Sequence, residues 1–228
     1  MKLAIVIPAY NEEKAIEEVL LSLPKKLKNI DKIISVVVDD GSFDKTHDIA
    51  NNHATYAIRH VINLGVGAAT TTGLGAAKKL RSDIVVTIDA DGQHNPKDIE
   101  KIIQPILDGK ADVVIGTRML NAKGMPPLKI FGNNFMNFLT FLVFHKWSSD
   151  SQSGMKAFNA KALKKIKLRS IGYEICSEMI GEIQRNKLKL KEIPIEVIYT
   201  DYSKVKGQNW INGINVLTKM LVIKIIGK

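Results

Sequence analysis

The sequence contains one cysteine, Cys176, among 228 residues. A single cysteine excludes an internal disulfide and a cysteine-rich zinc site, so we expect a reducing, cytoplasmic environment. Aromatic residues make up only 6% of the chain and are not interleaved with its lysines. No nucleic-acid-binding motif is present either, so nucleic acid is not expected as a partner. The apolar segments are too interrupted for a membrane-spanning helix, which needs about 20 mostly apolar residues.

Positive charge, by contrast, is plentiful. The 33 Lys and Arg residues outnumber the 23 Asp and Glu residues, which gives a formal net charge of +10. Hydrophobic residues at 45% and charged residues at 25% are ordinary values for a globular protein with one sizeable core. We expect a basic protein of this composition to meet phosphorylated ligands or an anionic membrane surface.

Strand-like and helix-like segments alternate along the first two-thirds of the chain. Strands are predicted at residues 2–10, 33–38, 56–61, 83–88 and 112–116. Asn11 is predicted to cap the first helix, and Asn95 with Pro96 to start a helix that ends near Leu107. The alternation predicts an α/β fold with a mostly parallel sheet, in which ligands bind beyond the carboxyl ends of the strands. The polar segments DDGS, DADGQ and GTR all fall at such ends.

Two carboxylates, Asp89 and Asp91, follow the strand predicted at 83–88. Their oxygens suit Mg²⁺ or Mn²⁺, which commonly bind through one or two carboxylates together with substrate phosphates. The alternative is a solvated turn, since Asp and Gly are turn formers. The other polar strand ends favour the metal site. We interpret His94, in the same segment, as a turn residue or a neighbour of the site rather than a ligand.

The segment after the second predicted strand has two interpretations. Asp39 and Asp40 can accept hydrogen bonds from a nucleotide base or ribose. They can equally belong to a turn that leads into the next helix, with Ser42 or Asp44 as its cap. Residues 65–70, GVGAAT, lack the third glycine of a dinucleotide-binding loop, so that function is not predicted.

Cations and apolar segments occupy the C-terminal half. Arg118 follows a strand end directly and is a candidate for binding phosphate, whereas most of the lysines are explained well as solvated surface residues. Residues 131–144 are rich in phenylalanine, and residues 210–228 mix apolar residues with lysines. Both patterns are typical of segments in a membrane interface. A helix that packs on the sheet explains the C-terminal segment equally well.

Taken together, these segments resemble glycosyltransferase family 2, and specifically its polyprenyl-phosphate (dolichyl-phosphate) glycosyltransferase branch. The matching segments run from about residue 3 to about residue 200 and are VIPAYNEE, VVVDDGSFDKT, NLGVGAA, DADGQHNP, VIGTR, SDSQSGMKAF and EIPIEVIY. Each segment is short, but the ordered set is highly specific. SDSQSG, together with the basic KVKGQ segment, favours a lipid-phosphate acceptor over the polysaccharide synthases of the same family.

The resemblance implies a Rossmann-like GT-A domain at 1–200, then a basic loop and a C-terminal amphipathic helix at a membrane face at 201–228. It implies inverting sugar transfer from a nucleoside-diphosphate sugar to a polyprenyl or dolichyl phosphate, with Mg²⁺ or Mn²⁺. It places the donor against Pro8, Tyr10, Glu12, Asp39, Asp40, Gly65, Asp89 and Ala90, and the metal on Asp89, Asp91 and Gln93. It places the acceptor phosphate against Arg118, Lys129, Ser153, Lys156 and Lys206. It gives catalytic roles to Asp91, Arg118, Asp150 and Gln152.

Two positions depart from the usual pattern of the family. Met155-Lys156 stands where Phe-Arg is common, and Lys129 where an arginine is common, so a two-point phosphate contact becomes a point charge at each. DADGQH with NLGVGAA is more similar to users of UDP-glucose or UDP-N-acetylglucosamine than to users of GDP-mannose.

Three other functions fit the sequence less well. A family 2 enzyme with a glycan or protein acceptor is the nearest alternative. A nucleotidyltransferase is less favoured, because PAYNEE puts acidic residues where its first loop would be basic. A non-enzymatic binding module would not need the Asp-x-Asp pair. We expect a peripheral or monotopic protein at the cytoplasmic face of a membrane, and the sequence is compatible with a homo-oligomer.

Overall fold

The computed structural model describes residues 1–121 and 125–198, together with residues 218, 219 and 222. Its centre is a sheet of the strands β1 (Lys2–Ala9), β2 (Lys32–Asp39), β3 (Tyr56–Arg59), β4 (Ile84–Thr87), β5 (Val113–Thr117), β6 (Lys156–Asn159) and β7 (Leu190–Pro194). The strand order is β3-β2-β1-β4-β6-β5-β7. All neighbours are parallel except β6, which is antiparallel to both β4 and β5. The predicted mostly parallel α/β sheet is confirmed.

Helices cover both faces of the sheet. They are α1 (Ile16–Ser22), α2 (Thr46–His53), α3 (Val66–Lys79), α4 (Asp98–Leu107), α5 (Pro127–Phe144), α6 (Ala160–Lys165) and α7 (Ile175–Arg185). The buried residues of α1, α2 and α4 share one hydrophobic core with Ile5 of β1, and those of α3, α6 and α7 share a second core with Val6. Because neighbouring strand residues point to opposite faces, continuous apolar strands such as β1 serve both cores.

The prediction that Asn11 caps the first helix is wrong. α1 begins only at Ile16, and Asn11 adopts a left-handed backbone conformation with φ 53°. Its side-chain oxygen accepts a hydrogen bond from the N–H of Phe43 at 3.0 Å, and its own N–H donates to Oγ of Ser42 at 2.9 Å. Asn11 therefore connects the loop after β1 to the loop after β2. Because its side chain makes this tertiary contact, it does not cap the helix.

The helix predicted to begin at Pro96 begins at Asp98 instead. Asn95 still organises its start, because Asn95 Oδ1 accepts from the N–H of Lys97 at 3.1 Å. The carbonyl of Asn95 accepts from the N–H of Asp98 at 3.0 Å. The predicted end at Leu107 is confirmed.

α5 exposes more large apolar side chains than an ordinary surface helix, and it buries two polar ones beside Leu139 and Val143. Asn137 and Thr140 on its inward face are each 1% exposed. Its outward face carries apolar side chains that are between 50% and 73% exposed, namely Leu128, Phe131, Phe135, Phe138 and Leu142. We call these five residues the outer face of α5. In the described part of the chain, no helix combines the length and the apolar character needed to cross a membrane.

The predicted basic loop lies outside the described residues, as does most of the predicted C-terminal amphipathic helix. Only residues 218, 219 and 222 of that segment are described, and they are helical. Nζ of Lys219 lies 3.7 Å from Oε1 of Glu174, which immediately precedes α7. The proposed boundary between the regions 1–200 and 201–228 therefore stays a prediction.

Candidate active site

The polar segments after β1, β2, β4 and β5 lie along one edge of the sheet, because these strands all run in the same direction. β6 runs the opposite way, so the loop before it, residues 148–155, lies at the same edge. The strand order then sets the spatial order: the segments after β2 and β1 come first, the Asp89 segment follows β4, and the loop before β6 and Arg118 after β5 come last. The convergence expected from the sequence is present.

Asp89 lies in the middle of this edge and is held from two sides. Its Oδ2 accepts a hydrogen bond from Nε2 of His94 at 3.2 Å, and the backbone of Gly154 packs against its carboxylate. The side chain remains 40% exposed. Burial raises the pKa of Asp89, but the hydrogen bond and charge of His94 and the charges of Arg118 and Lys156 outweigh it, so the net pKa is lowered. Asp89 is therefore ionised at neutral pH.

The pKa of Asp91 is shifted in the opposite direction from that of Asp89. Burial, followed by the negative charge of Asp89, raises the pKa of Asp91 to about 6, although the N–H of Gln93 donates to its Oδ1 at 2.9 Å. The charge of Glu12 adds to the rise. Above pH 6 the site therefore holds two carboxylates that repel each other, which is an arrangement that a cation stabilises.

These carboxylates fit Mg²⁺ or Mn²⁺ by their chemistry, because both ions prefer oxygen ligands. Within the ranges that the structure describes, no group of three or more His, Cys, Asp or Glu residues surrounds a possible metal position. Two aspartates alone leave coordination positions for water and substrate phosphates, which is the usual arrangement for Mg²⁺. Gln93, the third predicted ligand, lies in the same turn, and its role as a ligand stays a prediction.

Arg118, directly after β5, is held by Asp150. Its guanidinium donates from Nε to Oδ2 at 2.8 Å and from Nη2 to Oδ1 at 2.7 Å, and its backbone N–H donates to Oδ2 at 2.9 Å. Asp150 is fully buried, whereas the side chain of Arg118 is 17% exposed. A bidentate pair fixes the plane of the guanidinium. The site thus has a rigidly held positive charge, which is close enough to lower the pKa of Asp89.

Buried polar contacts hold the loop that carries Asp150. Oε1 of Glu192 in β7 accepts from the N–H of Ser149 at 2.8 Å. Asn137 of α5 donates through Nδ2 to the carbonyl of Ser149 at 2.6 Å, and its Oδ1 accepts from both N and Oγ of Ser151 at 2.8 Å. The inward polar face of α5 is therefore part of the support of the site.

Gln152, Ser153 and Lys156, which the sequence places in catalytic or acceptor roles, make contacts within the fold. Gln152 Nε2 donates to Oγ of Ser177 at 3.0 Å. Lys156 is buried at the start of β6, where its ammonium group contacts the carbonyl of Ser153. The charge of Lys156 helps to lower the pKa of Asp89. The other two predicted acceptor residues are less defined: Lys129 is partly exposed in the first turn of α5, and Lys206 lies outside the described residues.

Asp39 is fully buried at the end of β2. Its Oδ1 accepts from the N–H of Ser42 at 3.0 Å, and its Oδ2 lies 3.3 Å from Nε of Arg59. The geometry of that ion pair makes no hydrogen bond, so Oδ2 is a buried acceptor without a hydrogen-bond partner in the described part of the chain. An N–H group of a nucleotide base is a suitable partner for such an oxygen.

Asp40 has a different environment. Its Oδ1 lies 2.6 Å from Nδ1 of His60 and accepts from the N–H of Leu64 at 3.0 Å, while Oδ2 accepts from the N–H of Gly65 at 2.7 Å. Both oxygens are thus engaged by the segment between β3 and α3. Asp40 therefore holds that segment, including Gly65, in place against the end of β2.

The other predicted donor residues lie at or near the ends of β1 and β4. Pro8 is near the end of β1, where it pairs with Val38. Tyr10 is 38% exposed just beyond the strand, and Glu12 is partly exposed and close enough to raise the pKa of Asp91. Ala90 is buried in the core beneath the site.

The glycine-rich segment at the start of α3 packs against the loop of residues 170–172. A Cβ added at Gly65 or Gly67 would lie 2.4 Å or 2.5 Å from the carbonyl oxygen of Ile171 or Ser170, respectively. The N–H of Gly67 donates to the Ile171 carbonyl at 2.8 Å. A helix N terminus of this kind often receives a phosphate, but here a carbonyl of the chain itself occupies it.

Sequence reasoning did not identify Tyr173, which lies close enough to Asp89 and Asp91 for their charges to act on it. Burial, followed by the charge of Asp89, raises the pKa of this tyrosine. Its loop is held by α7, where buried Glu178 accepts from the N–H groups of Arg169 at 3.0 Å and Ser170 at 2.9 Å. No short sequence pattern predicts such a contact, because Tyr173 and the two aspartates become neighbours only in the folded protein.

Comparison with known proteins identifies the class to which this site belongs. The sequence profile described as glycosyl transferase family 2 matches residues 4–167. A UDP-N-acetylglucosamine–dolichyl-phosphate N-acetylglucosaminyltransferase of Methanococcus voltae is 43% identical over 242 residues, which covers 96% of this chain and 95% of the relative. A dolichyl-phosphate β-glucosyltransferase of Trichomonas vaginalis is 30% identical over 99% of this chain and 74% of the relative. The chain belongs to glycosyltransferase family 2 and is a glycosyltransferase. The family predicted from the sequence is confirmed, and relatives of the predicted branch are among its matches.

Solved structures support the fold. Glucosyl-3-phosphoglycerate synthase of Mycobacterium tuberculosis, in complex with Mn²⁺, UDP and glucosyl-3-phosphoglycerate, superimposes with a TM-score of 0.70. The superposition covers 99% of this chain and 79% of that one, at 18% identity. At that identity the likeness shows the fold alone, and it confirms the predicted GT-A-like arrangement of a central sheet flanked by helices.

Proposed function

We propose that the protein transfers a sugar, with inversion, from UDP-N-acetylglucosamine or UDP-glucose to the phosphate of a polyprenyl or dolichyl phosphate, with Mg²⁺ or Mn²⁺ as cofactor. The observation that carries the proposal is that one sheet edge holds two carboxylates, Asp89 and Asp91, beside a guanidinium, Arg118, whose plane is fixed by Asp150. Such a site accommodates two phosphorylated partners, one through a cation and one directly. The printed names of the Methanococcus voltae and Trichomonas vaginalis relatives agree with this acceptor.

The part of the site that would bind the nucleotide sugar acts mainly through its carboxylates. Asp89 and Asp91 would hold the divalent cation, which when bound neutralises charge on the diphosphate leaving group. Asp39 would accept a hydrogen bond from the base through its buried Oδ2, beside the partly exposed ring of Tyr10. Asp40 and Gly65 would support the segment that borders this pocket. The preference for a UDP sugar over a GDP sugar comes from the resemblance of DADGQH and NLGVGAA, and the name of the Methanococcus voltae relative agrees with it.

The part of the site that would bind the acceptor acts by orienting the lipid phosphate. Arg118, fixed in plane by Asp150, would hold the lipid phosphate in line with the anomeric carbon, which supplies proximity and electrostatic stabilisation. A monosubstituted phosphate has a second pKa near 6, by analogy with phosphorylated side chains, so it is largely dianionic at pH 7. No strong general base is then required. Asp150 is thus an orienting group, and inversion follows from a single displacement.

The outer face of α5 supports a membrane as the place of reaction. Five large apolar side chains are at least half exposed there, while the polar residues Asn137 and Thr140 of the same helix are buried. A helix in a bilayer interface has this distribution, because its apolar face lies among acyl chains. The net charge of +10 adds attraction to anionic lipids. We therefore propose a peripheral or monotopic protein at a membrane face, and the single cysteine makes the cytoplasmic face the expected one.

The function is tested by measuring transfer from a panel of labelled nucleotide sugars to a short polyprenyl phosphate, with and without EDTA. We expect turnover with UDP-N-acetylglucosamine or UDP-glucose, loss of turnover in EDTA and loss in Arg118→Ala. Arg185→Ala, an exposed arginine of α7, is the matched control and should retain turnover. Transfer to a glycan or a protein instead of the lipid phosphate would establish the nearest alternative function and overturn this one.

The membrane site is tested separately by flotation with vesicles that contain anionic phospholipid, at low salt. We expect the protein to float with the vesicles and to remain at the bottom of the gradient without them. Absence of binding under these conditions contradicts the membrane placement, and it leaves the chemistry of transfer to be judged by the turnover assay.

A further inference from the structure

We propose that Gly154 and His94 form a clamp that fixes the Asp89 carboxylate in the orientation in which it receives the divalent cation. Both would be positioning residues that act through Asp89 and do not themselves touch the ion. This inference rests on the proposed function and deepens it, because it assigns the geometry of the metal site to two residues outside the ligand set.

Gly154 is one side of the clamp. A Cβ built on this residue would lie 2.0 Å from Oδ2 of Asp89 and 2.3 Å from both Cγ and Oδ1. Such distances are far inside van der Waals contact, so the carboxylate occupies space that only a glycine leaves open. Gly154 is not among the residues with a positive φ angle. The requirement for glycine therefore comes from Asp89, and not from the backbone conformation.

The backbone at Gly154 is itself fixed. Oγ1 of Thr87, the last residue of β4, donates to the carbonyl of Gly154 at 2.8 Å. Two residues further on, Lys156 pairs with Thr87 in the antiparallel ladder between β6 and β4. Withdrawal of Gly154 from Asp89 would break its hydrogen bond with Thr87 beside the paired end of β6, so we expect a larger side chain there to displace the carboxylate.

His94 is the other side. Its Nε2 lies 3.2 Å from Oδ2 of Asp89, and the residue is only 3% exposed. The backbone of His94 forms an antiparallel bridge with Val197, and the N–H of Ile198 donates to the carbonyl of Gln93 at 2.8 Å. The imidazole is therefore placed by the chain beyond β7. Because its Nδ1 has no hydrogen-bond partner in the described residues, replacing the ring removes one contact, the one with Asp89.

Fixing a ligand before the ion arrives raises affinity, since binding no longer has to order the carboxylate. Residues that orient metal ligands typically contribute about 10- to 100-fold to metal affinity. We therefore expect a loss of this size when either side of the clamp is changed.

The test measures Mn²⁺ affinity of the metal-stripped protein in saturating UDP, by the electron paramagnetic resonance signal of free Mn²⁺. Gly154→Ala should bind Mn²⁺ about 10- to 100-fold more weakly than the wild type. His94→Leu should show a similar loss, and His94→Gln, whose amide can donate from a similar position, should recover most of the affinity. This recovery separates a positioning role from a merely structural one.

Two glycine variants serve as controls. Gly75→Ala adds a methyl group that meets nothing within 4 Å and should leave Mn²⁺ affinity and melting temperature unchanged or slightly raised. In Gly181→Ala the new Cβ would lie 2.4 Å from Cδ1 of Phe144, so the melting temperature should fall while Mn²⁺ affinity is kept. The two together distinguish general destabilisation from damage to the metal site.

Equal Mn²⁺ affinity in the wild type and Gly154→Ala would overturn the clamp while leaving the proposed function intact. Should Gly154→Ala fail to fold, the two His94 variants decide, because equal affinity in His94→Leu and His94→Gln also overturns it. A wild type that binds no Mn²⁺ with any nucleoside diphosphate would contradict the metal part of the proposed function, and the clamp with it.

Discussion

Replacing Asp91 with asparagine should stabilise the metal-free protein at neutral pH. The raised pKa of Asp91 means that its ionised form is disfavoured in the folded state, first by burial and then by the charge of Asp89. Asparagine carries no charge, and its Oδ1 can still accept the hydrogen bond that Gln93 N–H donates at 2.9 Å. The substitution therefore removes the electrostatic cost and keeps the local contact.

The size of the effect follows from the pKa. A rise from 3.8 to about 6 corresponds to about 3 kcal/mol at about 1.4 kcal/mol per unit, and solvent at the open edge of the sheet reduces this towards about 2 kcal/mol. For an acid whose pKa is raised by folding, the penalty begins above the unfolded value near 4, grows to about pH 6 and is constant beyond. Asp91→Asn should thus melt roughly 4 to 8 °C higher than the wild type at pH 7.5.

Thermal unfolding in EDTA at pH 7.5 and pH 4.5 measures the prediction. At pH 4.5 the difference between variant and wild type should shrink to about a third, because the folded wild type then carries the proton. Asp48→Asn, which removes an exposed carboxylate from α2, controls for the change in net charge. Adding Mn²⁺ with UDP should raise the melting temperature of the wild type alone. A variant no more stable than the wild type at pH 7.5 would refute the repulsive environment of Asp91.

Three further outcomes are expected. Asp150→Asn should lower kcat/KM for the lipid phosphate about 100-fold, as a misplaced Arg118 no longer orients it, with the KM for the donor little changed in steady-state assays. Gly67→Ala places a methyl group 2.5 Å from the Ser170 carbonyl oxygen and should cost about 1–3 kcal/mol in chemical denaturation; an unchanged midpoint would contradict the packing argument. The double variant Phe131→Glu, Phe135→Glu should no longer float with anionic vesicles yet should keep its turnover on a water-soluble acceptor.

The sheet and its functional edge could be predicted because they depend on local patterns. Buried parallel strands are continuous apolar runs, and polar residues that end several of them must meet at one edge. Asp89, Asp91 and Arg118 were located in this way. The antiparallel direction of β6 could not be predicted, since it depends on which strands become neighbours.

Positions whose role depends on distant partners were predicted less well. Asn11 has the composition of a helix cap, but its contacts with the loop after β2 determine its conformation. The glycines at 65 and 67 suggested a phosphate loop that lacked its last glycine, whereas they make room for a carbonyl about 100 residues away. Gly154 was only part of a family motif until its contact with Asp89 was visible. Neither glycine requirement has a signature within its own segment.

A helix that lies in the plane of a bilayer fixes the distance between the membrane and the residues that the helix supports. The Asn137 side of α5 holds the loop that carries Asp150, and Asp150 holds Arg118. If the outer face of α5 lies among acyl chains, as proposed, we expect Arg118 to stand about one helix diameter, roughly 10 Å, above that layer. The enzyme would then discriminate acceptors by how far their phosphate projects from the membrane. The polyprenyl tail would lie in the bilayer below α5. Its length would therefore affect turnover far less than the number of phosphates, one or two, in the acceptor head group.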